Sequence, residues 1–351
     1  MSWSRKCRVD LAKTRDNYLI LSIESSCDDS SIAITQIKDK KIVFHQKISQ
    51  EREHSSYGGV VPEIASRLHA EILPQILEHT KPYFKDLKAI AVTTEPGLNI
   101  TLMEGLMMAK TLSFALEIPL ISVNHLKGHL YSLFLEQEAI FPLGALLVSG
   151  GHTMLLEARS FNEINIIAQT IDDSFGESFD KVSKMLGLGY PGGPIVEFQA
   201  QKGNDRAFEL PLPLKSRKDF AFSFSGLKNA VRLVIQKQEI QSKAFVEDIC
   251  ASFQRVAIEH LSKKTQIFFE KNSKSMDSWK YFGVIGGASA NLVLRNEIQR
   301  ICDYYGVTLL LAPLEYCSDN AAMIGRVALE SYLRGEFGDF NLQVKPRVSS
   351  L

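Results

Sequence analysis

The chain has 351 residues, 45% of them hydrophobic, so it can bury a sizeable core and is long enough for two domains. Forty basic residues balance forty acidic ones, which excludes a global field drawing in polyanions; nucleic-acid binding would need a local basic patch or a partner's surface. Five scattered cysteines, Cys7, Cys27, Cys250, Cys302 and Cys317, never spaced as CxxC, speak against a disulfide framework or a thiolate zinc site. No stretch approaches the ~18 uninterrupted apolar residues of a membrane span, and the run Tyr18 to Ile23 is too short for a signal-peptide core, so a cytoplasmic protein without membrane attachment is expected.

The segment through Asn17 carries Arg5, Lys6, Arg8, Lys13 and Arg15 without apolar periodicity and reads as a loose extension; Asp10 and Asp16 weigh against a targeting peptide. Tyr18 to Glu24 and Ile32 to Ile37, joined by the polar turn Ser25 to Ser30, predict a β-hairpin. Helices follow at Val61 to His79 and Leu102 to Leu116, with the strand Ala89 to Thr93 between them. A second hairpin is predicted at Ala145 to Ser149 and Thr153 to Glu157 across Gly150-Gly151, and two hairpins half a chain apart suggest a duplicated α/β architecture. Phe245, Ile249, Phe253 and Val256 recur at helical spacing. The strand Tyr281 to Ile285 then enters Gly286-Gly287 and a helix from about Asn291. A strand at Val307 to Leu311 and a helix from about Asp319 to Arg334 complete the pattern.

Several residue groups are suited to chemistry. His125 and His129, four apart in NHLKGH, would project from one face of a helix, as joint metal coordination requires, although ordinary core or surface histidines share this spacing. The glutamate of a zinc-peptidase HExxH is absent, which removes the main support for proteolysis. Asp319 stands where a helix begins and reads either as its N-cap or, in a shared site, as the carboxylate of a two-histidine, one-carboxylate set suited to iron or zinc. Gly150-Gly151 serves either a hairpin turn or a backbone cradle for phosphate, and Gly286, Gly287 and Asn291 either a plain strand-to-helix connection or an approach to an adenylate. Asp28 and Asp29 fit turn geometry or a polar ligand; Asp180 fits a solvated helix position, and Gly192-Gly193 an ordinary turn.

Taken together, ILSIESSCDDSSIAI, GGVVPEIASRLHAEILP, VNHLKGHLYS, LLVSGGHT, GESFDKVSKMLGLGYPGGP, FSFSGLKNAV, GGASANLVLR and YCSDNAAMIG resemble, in order, the TsaD family with its archaeal and eukaryotic Kae-type relatives. The resemblance spans nearly all of the chain after Asn17. It implies the duplicated α/β fold shared by actin, the Hsp70 chaperones and hexokinase, with a nucleotide cleft between two lobes. The expected boundaries are an extension at 1–17, a first lobe at 18–140 completed by the C-terminal helix 319–337, a second lobe at 141–318 and a tail at 338–351.

Residue by residue, the resemblance assigns His125, His129 and Asp319 to a divalent metal, iron(II) before zinc. Substrate positions are Leu147, Val148, Ser149, Gly150, Gly151, Asp180, Gly193 and Asn291, and Asp28 is an acidic catalytic position. The implied reaction moves threonylcarbamoyl from threonylcarbamoyl-AMP to an adenosine of tRNA. Implied partners are TsaB as heterodimer mate, the ATPase TsaE and a TsaC-type enzyme supplying the adenylate. Lys215, Arg217, Lys218, Lys228 and Arg232 are candidate phosphate contacts or a solvated charged face. Glu95 replaces a usual glycine before Pro96-Gly97-Leu98, so a strained or rearranged loop is expected; Glu104 and Met154 also depart from the pattern. The alternatives are a non-catalytic or ATP-handling scaffold of the same fold and, more distantly, a metallopeptidase.

Overall fold

The computed structural model describes residues 17–215, 220–238, 242–275, 278–347 and 351. Arg217 and Lys218, like the basic residues of the N-terminal extension, lie outside the described residues. The chain forms two compact units, one built from the residues up to Ala139 and from Asp319 onward, the other from Ile140–Ser318. Among the described residues no helix is long and apolar enough to cross a membrane.

In the first unit, β1 (Leu19–Glu24), β2 (Asp29–Gln36) and β3 (Ile42–Ser49) form an antiparallel meander. After α1 (Glu51–Ser55) and α2 (Pro62–Glu78) come β4 (Leu87–Glu95), α3 (Asn99–Leu116), β5 (Leu120–Asn124) and α4 (His125–Tyr131). β4 runs parallel to β1 and β5 parallel to β4, so the sheet order is β3-β2-β1-β4-β5. Every residue of the central β1 is buried, as expected of a strand covered on both faces. On one face, Leu21, Ile23, Ile90 and Val92 share a core with Leu73 and Ile76 of α2 and Leu106 and Ala109 of α3.

The second unit repeats the plan. β6 (Leu143–Val148), β7 (Thr153–Ser160) and β8 (Glu163–Thr170) form a meander, followed by α5 (Phe175–Met185), α6 (Gly192–Ala200), the two-residue β9 (Ala221–Phe222), α7 (Ser225–Gln236) and the long α8 (Lys243–Ser273). Then come β10 (Tyr281–Ile285), α9 (Leu292–Tyr305) and β11 (Thr308–Leu311). The order β11-β10-β6-β7-β8-β9, with β10 parallel to both β6 and β11, is that of the first sheet with one edge strand added. Phe253 and Val256 of α8, at the spacing read from the sequence, enter a core with Phe175, Phe179, Phe224 and Ile298.

The chain then returns to the first unit as α10 (Ala321–Arg334), which packs on β1 and β2. Its approach is close: a Cβ at Gly325 would come within 2.5 Å of Thr35 Oγ1 and 2.9 Å of Ser22 Oγ, and Ser22 Oγ donates to Ala321 O at 2.7 Å. The helix begins at Ala321 with Asn320 as its N-cap, accepting from Met323 N at 3.0 Å. Asp319 is therefore not the cap. Beyond α10 the segment read as a tail docks on the same unit: Gly338 N donates to Leu120 O at 2.8 Å, Lys345 N to Thr94 O at 2.8 Å, and Leu342 and Val344 join the apolar core.

Candidate functional site

Two local devices bring three ligating groups together in the first unit. Asn124 caps α4 by accepting from Leu126 N and Lys127 N at 2.9 and 3.2 Å, fixing where the helix starts and hence where His125 points. Gly128, on the next turn, lets α10 approach: a Cβ there would lie 2.9 Å from Ile324 Cδ1. That contact sets the start of α10, and with it Asp319, against the α4 histidines. Asp319 Oδ1 lies 3.3 Å from His125 Nε2 and 3.1 Å from His129 Nε2, and the two rings stand edge to face with centroids 4.6 Å apart. The imidazoles are buried, while the aspartate side chain keeps 24% exposure, so the trio opens on its carboxylate side.

Electrostatically the two histidines differ. Burial holds the His129 ring below its ordinary value, and Asp319 offsets this only in part. At His125 burial acts in the same direction, but the charges of Asp319 and Glu24 overcome it and hold the ring well above the usual range. Burial likewise opposes ionisation of Asp319, yet the nearby rings, the charge of His125 foremost, hold its carboxyl well below the ordinary value. His129 Nε2 is fully buried and makes no aligned hydrogen bond despite its distance from Asp319 Oδ1. A neutral, buried imidazole nitrogen facing a carboxylate and a second imidazole is a donor set that a divalent transition metal satisfies.

Asp28 lies in the turn between β1 and β2, its backbone carbonyl accepting from Gln50 N at 3.0 Å. Burial, reinforced by the charge of Asp319, raises its carboxyl above the ordinary value, so it senses the Asp319 carboxylate. The turn is held by His69 of α2, whose ring burial keeps below its ordinary value and whose Nε2 lies 2.9 Å from Cys27 O and Nδ1 2.7 Å from Ser30 Oγ. Two further residues at the site, Glu24 and Ser26, were not read from the sequence. Glu24 Oε2 lies 3.0 Å from His125 Nδ1, and Ser26 Oγ lies 3.2 Å from the same nitrogen. The available signal was a carboxylate ending an otherwise uncharged, fully buried strand.

Nor does Glu95 strain its loop. It ends β4 outside the left-handed region, its carboxylate lying 3.5 Å from Asn124 Nδ2 and 3.6 Å from Lys345 Nζ. The tight position is Gly97, where a Cβ would meet Ser26 O at 2.6 Å. Glu104 accepts from Ser66 Oγ at 2.7 Å, and Met154 is buried in β7.

In the second unit, β6 and β10 run side by side with Leu147 opposite Ile285, so the loops that follow them leave the sheet at the same edge. Leu147 and Val148 are strand residues with buried side chains, which leaves the backbone beyond them as the polar surface. Ser149 turns the chain by donating its N–H to His152 O at 2.8 Å and accepting His152 N–H on its Oγ at 3.0 Å. Ser174, the capping-box residue of α5, donates to Gly150 O at 2.6 Å. Gly286 takes φ +89° with its α-carbon against the Val148 carbonyl, which no side chain would allow. A Cβ would meet nothing within 4 Å at Gly150, Gly151 or Gly193, so backbone there is open to a ligand.

Asp180 is not free on a solvated face: its Oδ1 accepts from Gly192 N at 2.7 Å, and Gly192-Gly193 open α6 rather than form a simple turn. Asn291 caps α9, accepting from Leu294 N at 2.9 Å and donating to Gln254 Oε1 at 2.9 Å. Glycine loops at the carboxyl ends of parallel strands, beside the N-termini of α5 and α9, can bind phosphate through backbone N–H groups. Among the sequence candidates for phosphate contact, Lys228 is ion-paired with Asp173 at 2.5 Å, and Arg232 bonds Asn229 and Gln236 of its own helix.

Comparison with known proteins finds relatives along most of the chain. Residues 41–326 match the family model TsaD: tRNA N6-adenosine threonylcarbamoyltransferase. A Wolinella succinogenes protein of that name is 64% identical over 335 residues, covering 95% of this chain and all of the relative. Relatives of the same name from a Nitratiruptor species and from Helicobacter pylori are 58% and 56% identical, covering 93% and 91% of this chain and 98% and 95% of their own lengths. Among solved structures, full-length HypF in a phosphate- and nucleotide-bound form superposes with a TM-score of 0.60 at 13% identity, over 92% of this chain and 47% of HypF. This chain spans about half of HypF, and the likeness is one of fold.

Proposed function

Because the chain belongs to the TsaD family of tRNA N6-adenosine threonylcarbamoyltransferases, we propose that it transfers the threonylcarbamoyl group of threonylcarbamoyl-AMP to tRNA. The acceptor is the exocyclic amine of the adenosine 3′ of the anticodon, in tRNAs reading codons that begin with A. The observation that carries the reading is the donor set of two buried imidazoles, His125 and His129, with the half-buried Asp319, within the segment that matches the family. In the reaction the amine nitrogen bonds to the carbamoyl carbonyl carbon and the bond from that carbon to the phosphate oxygen breaks. AMP leaves with the electron pair, and the amine proton passes to a base. Asp28, its carboxyl raised toward the working range, is our candidate for that base.

His125, His129 and Asp319 would hold one divalent metal, iron(II) before zinc, which when bound supplies Lewis-acid polarisation of the carbamoyl oxygen. We assign Leu147 to Gly151, Asp180, Gly193 and Asn291 to the adenylate: backbone N–H groups at the open glycines for phosphate, the Asp180 carboxylate and the capped α9 for orientation. The chemistry needs no side-chain nucleophile. The chain's balanced charge gives it no general attraction for a polyanion, which supports dependence on partners. We take these to be TsaB and TsaE, with a TsaC-type enzyme as adenylate supplier and the cytoplasm as compartment.

The test is to incubate purified protein, TsaB and TsaE with threonylcarbamoyl-AMP and unmodified tRNA, and to quantify modified adenosine by nucleoside mass spectrometry. Wild type is expected to form it, whereas His125→Ala and Asp319→Ala lose both product and bound metal. No product from wild type that binds its partners would favour a scaffold, and equal activity of all three would remove the metal assignment.

A further inference from the structure

Glu24 ends β1 with no exposure to solvent, and no role proposed above uses it. Its carboxylate has three partners. Oε1 accepts from Ser26 N at 2.6 Å; Oε2 accepts from Thr93 Oγ1 at 2.6 Å and lies 3.0 Å from His125 Nδ1. An ionised carboxylate only accepts, so the hydrogen bond with His125 requires the proton on Nδ1. The other nitrogen of that ring, Nε2, faces Asp319 Oδ1. His129 has no such support, since its Nδ1 is buried without a hydrogen-bond partner, and packing alone orients that ring.

We infer that Glu24 is a positioning residue for the metal centre, holding His125 with its proton on Nδ1 so that Nε2 presents a lone pair toward Asp319 and His129. The inference rests on the metal reading above. It also explains why a carboxylate is buried at the end of an otherwise uncharged strand: only an acceptor without protons satisfies the Ser26, Thr93 and His125 donors together. An amide in its place turns an NH2 against one side or the other. On the Oε2 side, that NH2 opposes the His125 Nδ1 proton and favours the tautomer protonated on Nε2, the nitrogen needed for the metal.

The test uses the full-length, metal-stripped chain titrated with cobalt(II), whose visible absorption reports the ligand set. Glu24→Gln is expected to bind cobalt about 10- to 100-fold more weakly than wild type. Thr93→Val, which removes a partner of the same carboxylate without facing the ring, should stay within a few-fold of wild type. Zinc-loaded wild type with nitrogen-15 histidine should show the His125 proton on Nδ1 by NMR, a readout that decides the matter even where Glu24→Gln fails to fold. Equal cobalt affinity in folded Glu24→Gln and wild type, or a His125 ring bound to zinc through Nδ1, would overturn the inference. If wild type takes up no cobalt, the metal reading itself falls, a result distinct from either.

Discussion

Burial and the charge of Asp319 both raise the Asp28 carboxyl above its ordinary value, the direction that suits the general-base role proposed for it. Asp28→Asn keeps the shape and removes the basicity. It is expected to lower the transfer rate by roughly 10²–10⁴-fold while leaving bound metal unchanged, as measured by single-turnover assay and metal analysis. Loss of metal together with activity would place Asp28 among the ligands instead. Part of this site was legible because its spacing is local: His125 and His129 are one helical turn apart, and any helix brings them together. Asp319 joined them only through the resemblance, since no pattern in the sequence connects α4 to a residue beyond the second unit. Glu24 escaped notice because a buried carboxylate at a strand end has no periodic signature; its meaning lies in the three donors around it.

Elements with strong periodicity were read to within a few residues, as with α2, α3 and both hairpins, whereas α8 was legible only over Phe245 to Val256 and runs on to Ser273. Some of those missed were weakly patterned, whereas α7 was passed over despite an apolar stripe that buries Leu227 and Val231. β3 and β8 are partly exposed, with polar residues throughout, and β9 is two residues long and exists through pairing with β8. The beginning of α10 shows how neighbouring polar residues divide labour: Asn320 takes the capping bond, which leaves Asp319 for the histidines. A pH effect belongs to α8. His260 accepts from Ser223 N at 3.2 Å and packs edge-on against Phe222 and Phe224; burial first, and the nearby Lys264 second, push the ring down to about 4. The folded ring thus stays neutral while an unfolded one protonates near 6.5. Stability should therefore fall as pH drops from about 6.5 to about 4, by about 3 kcal/mol from this residue, and level off below. Denaturant unfolding of wild type and His260→Gln across that range checks it; identical slopes would assign the effect elsewhere.

At the scale of the whole molecule, the two sheets share one strand order, and each unit has its own apolar core. The sequence suggested this repetition through its two hairpins, although the order of the parallel strands depended on long-range pairing. A chain of residues 140–318 alone is expected to unfold cooperatively, because its core cluster draws on no residue outside that span. A chain ending at Ser318 should lose the fold of the first unit, since α10 seats against Ser22 and Thr35 of its sheet. Circular dichroism with denaturant titration separates these outcomes, and a stably folded first unit without α10 would refute the second. One consequence concerns synthesis on the ribosome. The histidines of α4 are translated before the second unit and Asp319 after it, so a nascent or prematurely terminated chain displays two imidazoles without their carboxylate. On the metal reading proposed above, the complete donor set exists only once translation has passed Asp319.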